Sequence, residues 1–245
     1  MSRRAALVTG GSRGIGFAVA QRLAAAGYDL TLSARDASAL DAAADRLRAA
    51  HPVQVLTCPA DASDEGDVHR LARAHEGIHR RLDVLVHNAG MGAIGAFADY
   101  PARRLDKLFA INVRSAYVLT QDLLPLLRDA GQASPRGGRV IAIASTTGIV
   151  GEPLNSAYGA TKAALISWCE TFSTEESDGG VSATAVCPGY VATDMTKGLA
   201  ETVPPESMLP VDDVAEAVVG LTRLSRRTVV PSLVLTRPGR HLWRA

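Results

Sequence analysis

Tyr158 and Lys162 stand four residues apart in a stretch with helical periodicity, so their side chains share one helix face. A tyrosine ionises near pH ~10, too high for good proton transfer near neutrality. An ammonium group beside the phenol stabilises the phenolate and lowers that value. The spacing alone describes many solvated helix faces, so its meaning depends on what surrounds it. A second candidate is Thr9-Gly10-Gly11-Ser12-Arg13-Gly14-Ile15-Gly16. Glycines there let the backbone turn sharply and approach a pyrophosphate at the positive end of the next helix. A third is His75-Glu76-Gly77-Ile78-His79, which fits the H-E-x-x-H zinc pattern. Here Val68, Leu71, His75, Ile78 and Leu82 form one stripe expected to pack on a sheet, Gly77 weakens the helix, and no third ligand is evident. The expectation at this place is a packed helix and no metal.

The elements that must position these groups alternate. Ala5–Thr9, Leu30–Ala34, Val53–Thr57, Asp83–Val86, Arg139–Ser145, Val181–Val186 and Val229–Leu235 read as strands. Between them Ile15–Ala26, a stretch ending at Ala50, Glu65–Arg81, Pro101–Ala130, Asn155–Ser177 and Val211–Leu224 read as helices, with Gly131–Gly138 a surface loop. Runs such as Val84-Leu85-Val86 suit strands buried on both faces. The pattern predicts an α/β fold: one doubly wound (Rossmann) parallel sheet of about seven strands with helices on both faces. Residues 1–245 read as a single domain, with a substrate loop at about 190–210. The 26 basic residues against 25 acidic ones give no basic excess for nucleic acid. Cys58, Cys169 and Cys187 show no C-x-x-C spacing and suggest a reducing compartment. No apolar run is long enough for a membrane span, and no signal peptide is apparent, so a cytoplasmic location is expected.

The glycine turn follows a strand and opens a helix, the context in which such a motif binds a dinucleotide. Its T-G-x-x-x-G-x-G spacing resembles that of the short-chain dehydrogenase/reductase family. Further motifs follow in that family's order: His87-Asn88-Ala89-Gly90 looks like its N-N-A-G, and Tyr158-Gly-Ala-Thr-Lys162 like its Y-x-x-x-K. Ser145 precedes the tyrosine by thirteen residues, and Pro188-Gly189 leads to Thr193. The resemblance spans about residues 5–195. It implies a tetrad of Asn112, Ser145, Tyr158 and Lys162. It also implies cofactor contacts from Gly10, Ser12, Arg13, Gly14, Ile15, Gly16, Asp61, Ala62, Asn88, Ala89, Gly90, Tyr158, Lys162, Pro188, Gly189, Val191 and Thr193. His87 departs from the family's first asparagine, which puts one hydrogen bond of the cofactor loop in question.

The end of the second strand selects the cofactor, because an acid there accepts from a ribose hydroxyl and a base pairs with a 2′-phosphate. The residues are Ala34-Arg35-Asp36. NAD-selective relatives carry an acid where Ala34 stands, and Arg35 is the basic neighbour that NADP-selective ones use. Arg13 can add a second charge. NADP is therefore expected. The opposing reading gives Asp36 the ribose and makes the chain an NAD-dependent alcohol dehydrogenase; Asp36 also fits a helix cap. Asp61 is either an adenine contact or a loop or N-cap aspartate.

The implied chemistry is hydride transfer between the nicotinamide and a ketone, aldehyde or secondary alcohol. Tyr158 is the general acid or base, Ser145 holds the substrate oxygen, and Lys162 lowers the tyrosine pKa and binds the nicotinamide ribose. Asn112 holds a water in the proton path. The pocket is expected from Met91–Phe97, Thr147–Asn155, Tyr190 and Met195–Pro210. The resemblance further implies a homodimer or homotetramer through the helices around Pro101–Ala130 and Asn155–Ser177, although the C-terminal sequence departs from the family's usual ending. A non-catalytic NADP-binding sensor or scaffold, and a lyase or epimerase on the same fold, are the rival functions.

Overall fold

The computed structural model describes residues 3–199 and 203–239. Expectations placed on 200–202 and on the ending 240–245 fall outside them. Seven parallel strands form one sheet: β1 (Ala5–Thr9), β2 (Asp29–Ala34), β3 (Val55–Pro59), β4 (Val84–His87), β5 (Gly138–Ile143), β6 (Val181–Pro188) and β7 (Ser232–Leu235). Their order is β3-β2-β1-β4-β5-β6-β7. The chain runs outward from β1 to β3, then returns to place β4 on the other side of β1. That reversal opens a crevice at the carboxyl ends of β1 and β4, where doubly wound sheets bind ligands.

Alternation along each strand builds two cores. Ala6, Val8, Leu30, Leu32, Val84 and Val86 face α1 (Gly14–Ala25), α2 (Ala37–Ala50) and α7 (Val211–Leu221). Leu7, Leu85, Val140, Ala142, Ala183 and Ala185 face α3 (Glu65–His79), α5 (Ser115–Ala133) and α6 (Ser156–Glu176). Helices therefore cover both faces, as the apolar strand runs predict.

The structure shifts several boundaries. Strand three is Val55–Pro59, not Val53–Thr57, because Leu30 and Ala34 of β2 pair with Val55 and Pro59. The stretch read as one helix from Pro101 is α4 (Ala102–Phe109), a π-helical turn (Ala110–Arg114) and α5. The loop read from Gly131 begins only after Ala133, and the last strand keeps only four residues. Ile78 is half exposed rather than part of the core stripe. His79, four residues on from His75, turns inward in its place and meets the Leu30 carbonyl.

Candidate active site

Nearly every residue singled out for function lies at the carboxyl edge of this sheet. The glycine turn joins β1 to α1. Gly10 and Gly14 have φ of 64° and 55°, a region other residues adopt at a cost. A Cβ on Gly16 would lie 2.2 Å from the Gly10 carbonyl oxygen, and one on Gly10 2.7 Å from Asn88 Nδ2. Bare backbone is therefore required here, and it forms an open cradle. Arg13, the residue before α1, contributes no side-chain cap to the first turn. The N–H groups of a helix's first turn left without a side-chain cap suit an anion. These features fit the pyrophosphate of a dinucleotide.

Thr9 organises the adjoining loop, a role the sequence reading did not assign. Its hydroxyl accepts from the N–H groups of Asn88 and Ala89, at 3.1 and 3.0 Å. Asn88 Nδ2 donates to the carbonyls of Thr9 and Gly10. The loop after β4 is thereby pinned to the glycine turn without help from the residue at position 87. His87 is buried and its Nε2 lies 2.7 Å from Thr120 Oγ1 on α5. Burial drives its pKa down to about 3, so the ring is neutral.

The expected selector segment divides its two charged residues. Arg35 is exposed at the end of β2, with no ion pair or side-chain hydrogen bond among the described residues. Asp36 caps α2: its Oδ1 accepts from Ala39 N at 3.1 Å and Ser38 Oγ at 2.9 Å. Those bonds, that of Ala39 first, hold its pKa below the usual value. Arg13 is engaged with Asp194, 3.1 Å away in the segment after β6. Asp61 closes a local turn, accepting from the N–H and hydroxyl of Ser63, and Ala62 sits within that turn. The α3 cap is Asp64 instead. Pro188 ends β6, and Gly189 N donates to Leu235 O. Val191 is buried and bridges to Leu209. Thr193 roofs the glycine turn, its Cγ2 3.6 Å from where a Gly14 Cβ would stand. Ser12 and Ile15 lie half-buried in the turn.

The tetrad residues converge from three elements. Ser145, just past β5, caps a short turn, and its Oγ accepts from the N–H and hydroxyl of Thr147. Tyr158 and Lys162 lie on α6, with Nζ 5.5 Å from the centre of the phenol ring. Lys162 Nζ donates to the Ile143 carbonyl at 2.7 Å. Burial pushes its pKa down to about 8, with the Cys187 thiol opposing. Burial also pushes the Tyr158 phenol up to about 12, and the neighbouring Ser145 hydroxyl opposes that rise. The i, i+4 spacing predicts that Lys162 lowers this value. In this structure loss of solvation outweighs the opposing effect of Ser145, and the value rises instead. Asn112 sits in the π-helical turn, a distortion common at functional sites and invisible to periodicity. Its amide accepts from Met91 N (2.8 Å) and donates to Met91 O and Thr161 Oγ1 (3.0 Å each). Thr161 Oγ1 in turn donates to the Tyr158 carbonyl. Asn112 thus braces the loop after Gly90 against the helix that carries Tyr158 and Lys162.

His75 is wholly buried, its Nε2 donating to the Arg81 carbonyl and its Nδ1 2.8 Å from Thr31 Oγ1. Among the described residues no group of three or more metal-ligating side chains comes together. Within the same bounds, no helix is long and apolar enough to cross a membrane, and all three cysteines are buried and free.

A parallel sheet reversing at a glycine turn, with serine, tyrosine and lysine at its carboxyl edge, defines a nucleotide-dependent oxidoreductase site. The chain belongs to the short chain dehydrogenase family, whose pattern matches residues 4–204, and it is an oxidoreductase acting on carbonyl or hydroxyl groups. It is 40% identical over 202 residues to a rhamnolipids biosynthesis 3-oxoacyl-[acyl-carrier-protein] reductase of Pseudomonas aeruginosa, covering 82% of this chain and 77% of that one. It is 32% identical over 232 residues to a D-beta-hydroxybutyrate dehydrogenase of Cupriavidus necator, covering 94% and 87%. Among solved structures, the Pseudomonas aeruginosa RhlG/NADP active-site complex superposes with a TM-score of 0.88 at 34% identity, covering 99% and 98% of the two chains.

Proposed function

We propose that this chain uses NADPH to reduce the ketone of a 3-oxoacyl compound to a secondary alcohol. The observation that carries the reading is the division at β2. Arg35 is free for a 2′-phosphate, while Asp36, the residue an NAD-dependent rival would use, is engaged as a helix cap. The RhlG complex with NADP supports the cofactor. The two relatives support the substrate class, since both names place the reacting carbon third in an acyl chain.

NADPH held by the glycine turn supplies the hydride. Ser145 Oγ donates to the substrate oxygen and fixes it beside the phenol. Tyr158 gives that oxygen its proton as negative charge develops. A phenol held near 12 is protonated throughout the neutral range, yet still far more acidic than an alcohol, so the transfer runs downhill. Lys162 and Asn112 fix the helix and loop on either side, and Lys162 would bind the nicotinamide ribose. The exposed faces of α5 and α6 are the surfaces on which copies of the chain would pair, with Tyr117 more than half exposed.

Dissociation constants for NADPH and NADH, on the protein and on Arg35→Ala, test the reading. NADPH should bind roughly ten- to a hundredfold more tightly, the worth of one charge-assisted contact to phosphate, and the variant should lose most of that margin. Equal or tighter binding of NADH would overturn it.

A further inference from the structure

The edge of the sheet that carries the tetrad also carries much of the exposed apolar surface. Among the described residues ten large apolar side chains are exposed, and six of them lie on the segments that leave β4, β5 and β6: Ile94, Phe97, Ile149, Val150, Leu154 and Met195. Single exposed apolar residues need no explanation, but a gathering of them marks a surface that binds something.

Contacts tie these segments to one another and to the tetrad. The segment after β4 starts against Lys162: a Cβ on Gly90 would stand 3.7 Å from its Nζ and 3.4 Å from Asn112 Oδ1. Further along, Gly95 N donates to Leu154 O at 2.9 Å, and Met195 Sδ lies 3.3 Å from where a Gly92 Cβ would stand. The segment after β5 packs on α6, where a Cβ on Gly148 would meet the Lys162 carbonyl carbon at 2.7 Å. Tyr190, just past β6, donates its hydroxyl to Glu152 Oε1 at 2.7 Å. Leu154 precedes Tyr158 by four residues, and Ile94 follows Gly90 by four, so each lies within about 14 Å along the chain of a residue in or against the tetrad.

Leu154 is the unusual member. Its φ is 65°, a left-handed conformation that is costly for a bulky side chain. Its side chain is 54% exposed, so packing in the protein's own interior does not account for that conformation. Strain of this kind clusters where function uses it. The charges narrow the ligand. Residues 91–97 and 146–155 contain no lysine, arginine or histidine, and their one ionisable group is the Glu152 carboxyl. Lys197, the cation in the turn Asp194–Leu199, is paired with Asp194. A free 3-oxo acid would find a carboxylate here and no unpaired cation, whereas an alkyl tail would find apolar surface.

We propose that these six residues form the binding surface for the alkyl tail of a neutral 3-oxoacyl ester or thioester, and that Leu154, presented by its strained backbone, determines specificity for that tail. The assignment rests on the reductase reading above and goes beyond it by naming the part of the substrate that is recognised.

The test measures kcat/KM with NADPH for ethyl 3-oxobutanoate, ethyl 3-oxohexanoate and ethyl 3-oxooctanoate, and for acetoacetate as the free acid. The octanoate ester should exceed the butanoate ester about tenfold or more, roughly twofold for each partly buried methylene, and acetoacetate should be the poorest substrate. Leu154→Asn puts a polar residue that tolerates a left-handed backbone at this place. It should cut the octanoate-to-butanoate ratio by about threefold or more, while urea unfolding shows a variant no less stable than the parent. A merely structural Leu154 would move stability and leave the ratio alone. Phe97→Ser, on a side chain 83% exposed, repeats the measurement where folding is not at stake, and it decides the matter if Leu154→Asn is destabilised. Equal kcat/KM across the esters, a preference for acetoacetate, or a ratio unchanged in both variants overturns the assignment while turnover itself sustains the reductase reading. An unchanged ratio in variants that sediment as a smaller species than the parent gives the surface to a second copy of the chain instead. If none of the four compounds oxidises NADPH, the reductase reading fails and takes this assignment with it.

Discussion

Helices α3 and α6 each carry a polar pair four residues apart, His75 with His79 and Tyr158 with Lys162. The sequence patterns are equally suggestive of chemistry, and the surroundings separate them. His75 and His79 bond to Thr31, Leu30 and the carbonyl of Arg81, all near the amino ends of β2 and β4. Lys162 bonds to Ile143, the last residue of β5, beside Ser145. The first pair lies at the edge of the sheet where chains enter, and protein groups already occupy both nitrogens of its buried member. The second lies at the carboxyl edge, where a reversal of strand order opens a crevice. Edge and unmet bonding capacity decide which i, i+4 pair can act on a ligand.

The sharpest way to break that contrast is to remove one proton donor. Tyr158→Phe should lose about a thousandfold in kcat, about 4 kcal/mol in barrier, because general acid catalysis of this kind contributes about 10²–10⁴. NADPH affinity should change little, since the ring and Lys162 remain. Steady-state turnover beside a fluorescence titration of NADPH measures both. Turnover within a few fold of the parent would remove Tyr158 from the reaction.

The matching change on α3 is structural. His75→Ala should leave kcat unchanged and lower the unfolding free energy by about 2–4 kcal/mol, from the cavity and the two unpaired partners it leaves. A chelator should not alter turnover of the parent protein. Chelator-sensitive activity restored by zinc would mean that α3 had been misread.

Much of this contrast is legible in residue order. The glycine turn, the strand that precedes it and the Y-x-x-x-K pair are local patterns, so their fold context and their place at the carboxyl edge follow from the alternation of elements. What the sequence hides is set by long-range contacts. The π-helical turn under Asn112 shows no break in apolar periodicity. Strand three starts two residues late because β2 dictates its register. Ile78 misses the core because the last turn of α3 rotates His79 inward instead. The union of Glu152 with Tyr190 joins residues 38 apart, and neither belongs to a motif. The raised Tyr158 pKa depends on burial that no spacing reports.

The smallest expected effect sharpens the comparison through pH. Burial, with His79 adding to it, lowers the His75 pKa to about 4, and burial alone lowers that of His87 to about 3. Unfolded, each ionises near pH ~6.5. Below that pH the unfolded chain binds protons that the folded chain refuses, so stability falls on acidification, until each folded value is reached. The slope is about 1.4 kcal/mol per pH unit for each histidine. His69 acts with the opposite sign. Its hydrogen bond to Asp122, 2.6 Å, raises its pKa, so its contribution is present in acid and is lost as pH rises through that raised value. Between pH ~6.5 and ~5 the carboxylates have barely begun to titrate, so the histidines dominate the slope. Urea unfolding of the parent and of His87→Asn across that window should show a shallower dependence in the variant, by about one histidine's share. An unchanged slope would mean that His87 is charged in the folded protein, a buried cation facing Thr120 on α5 rather than a neutral ring.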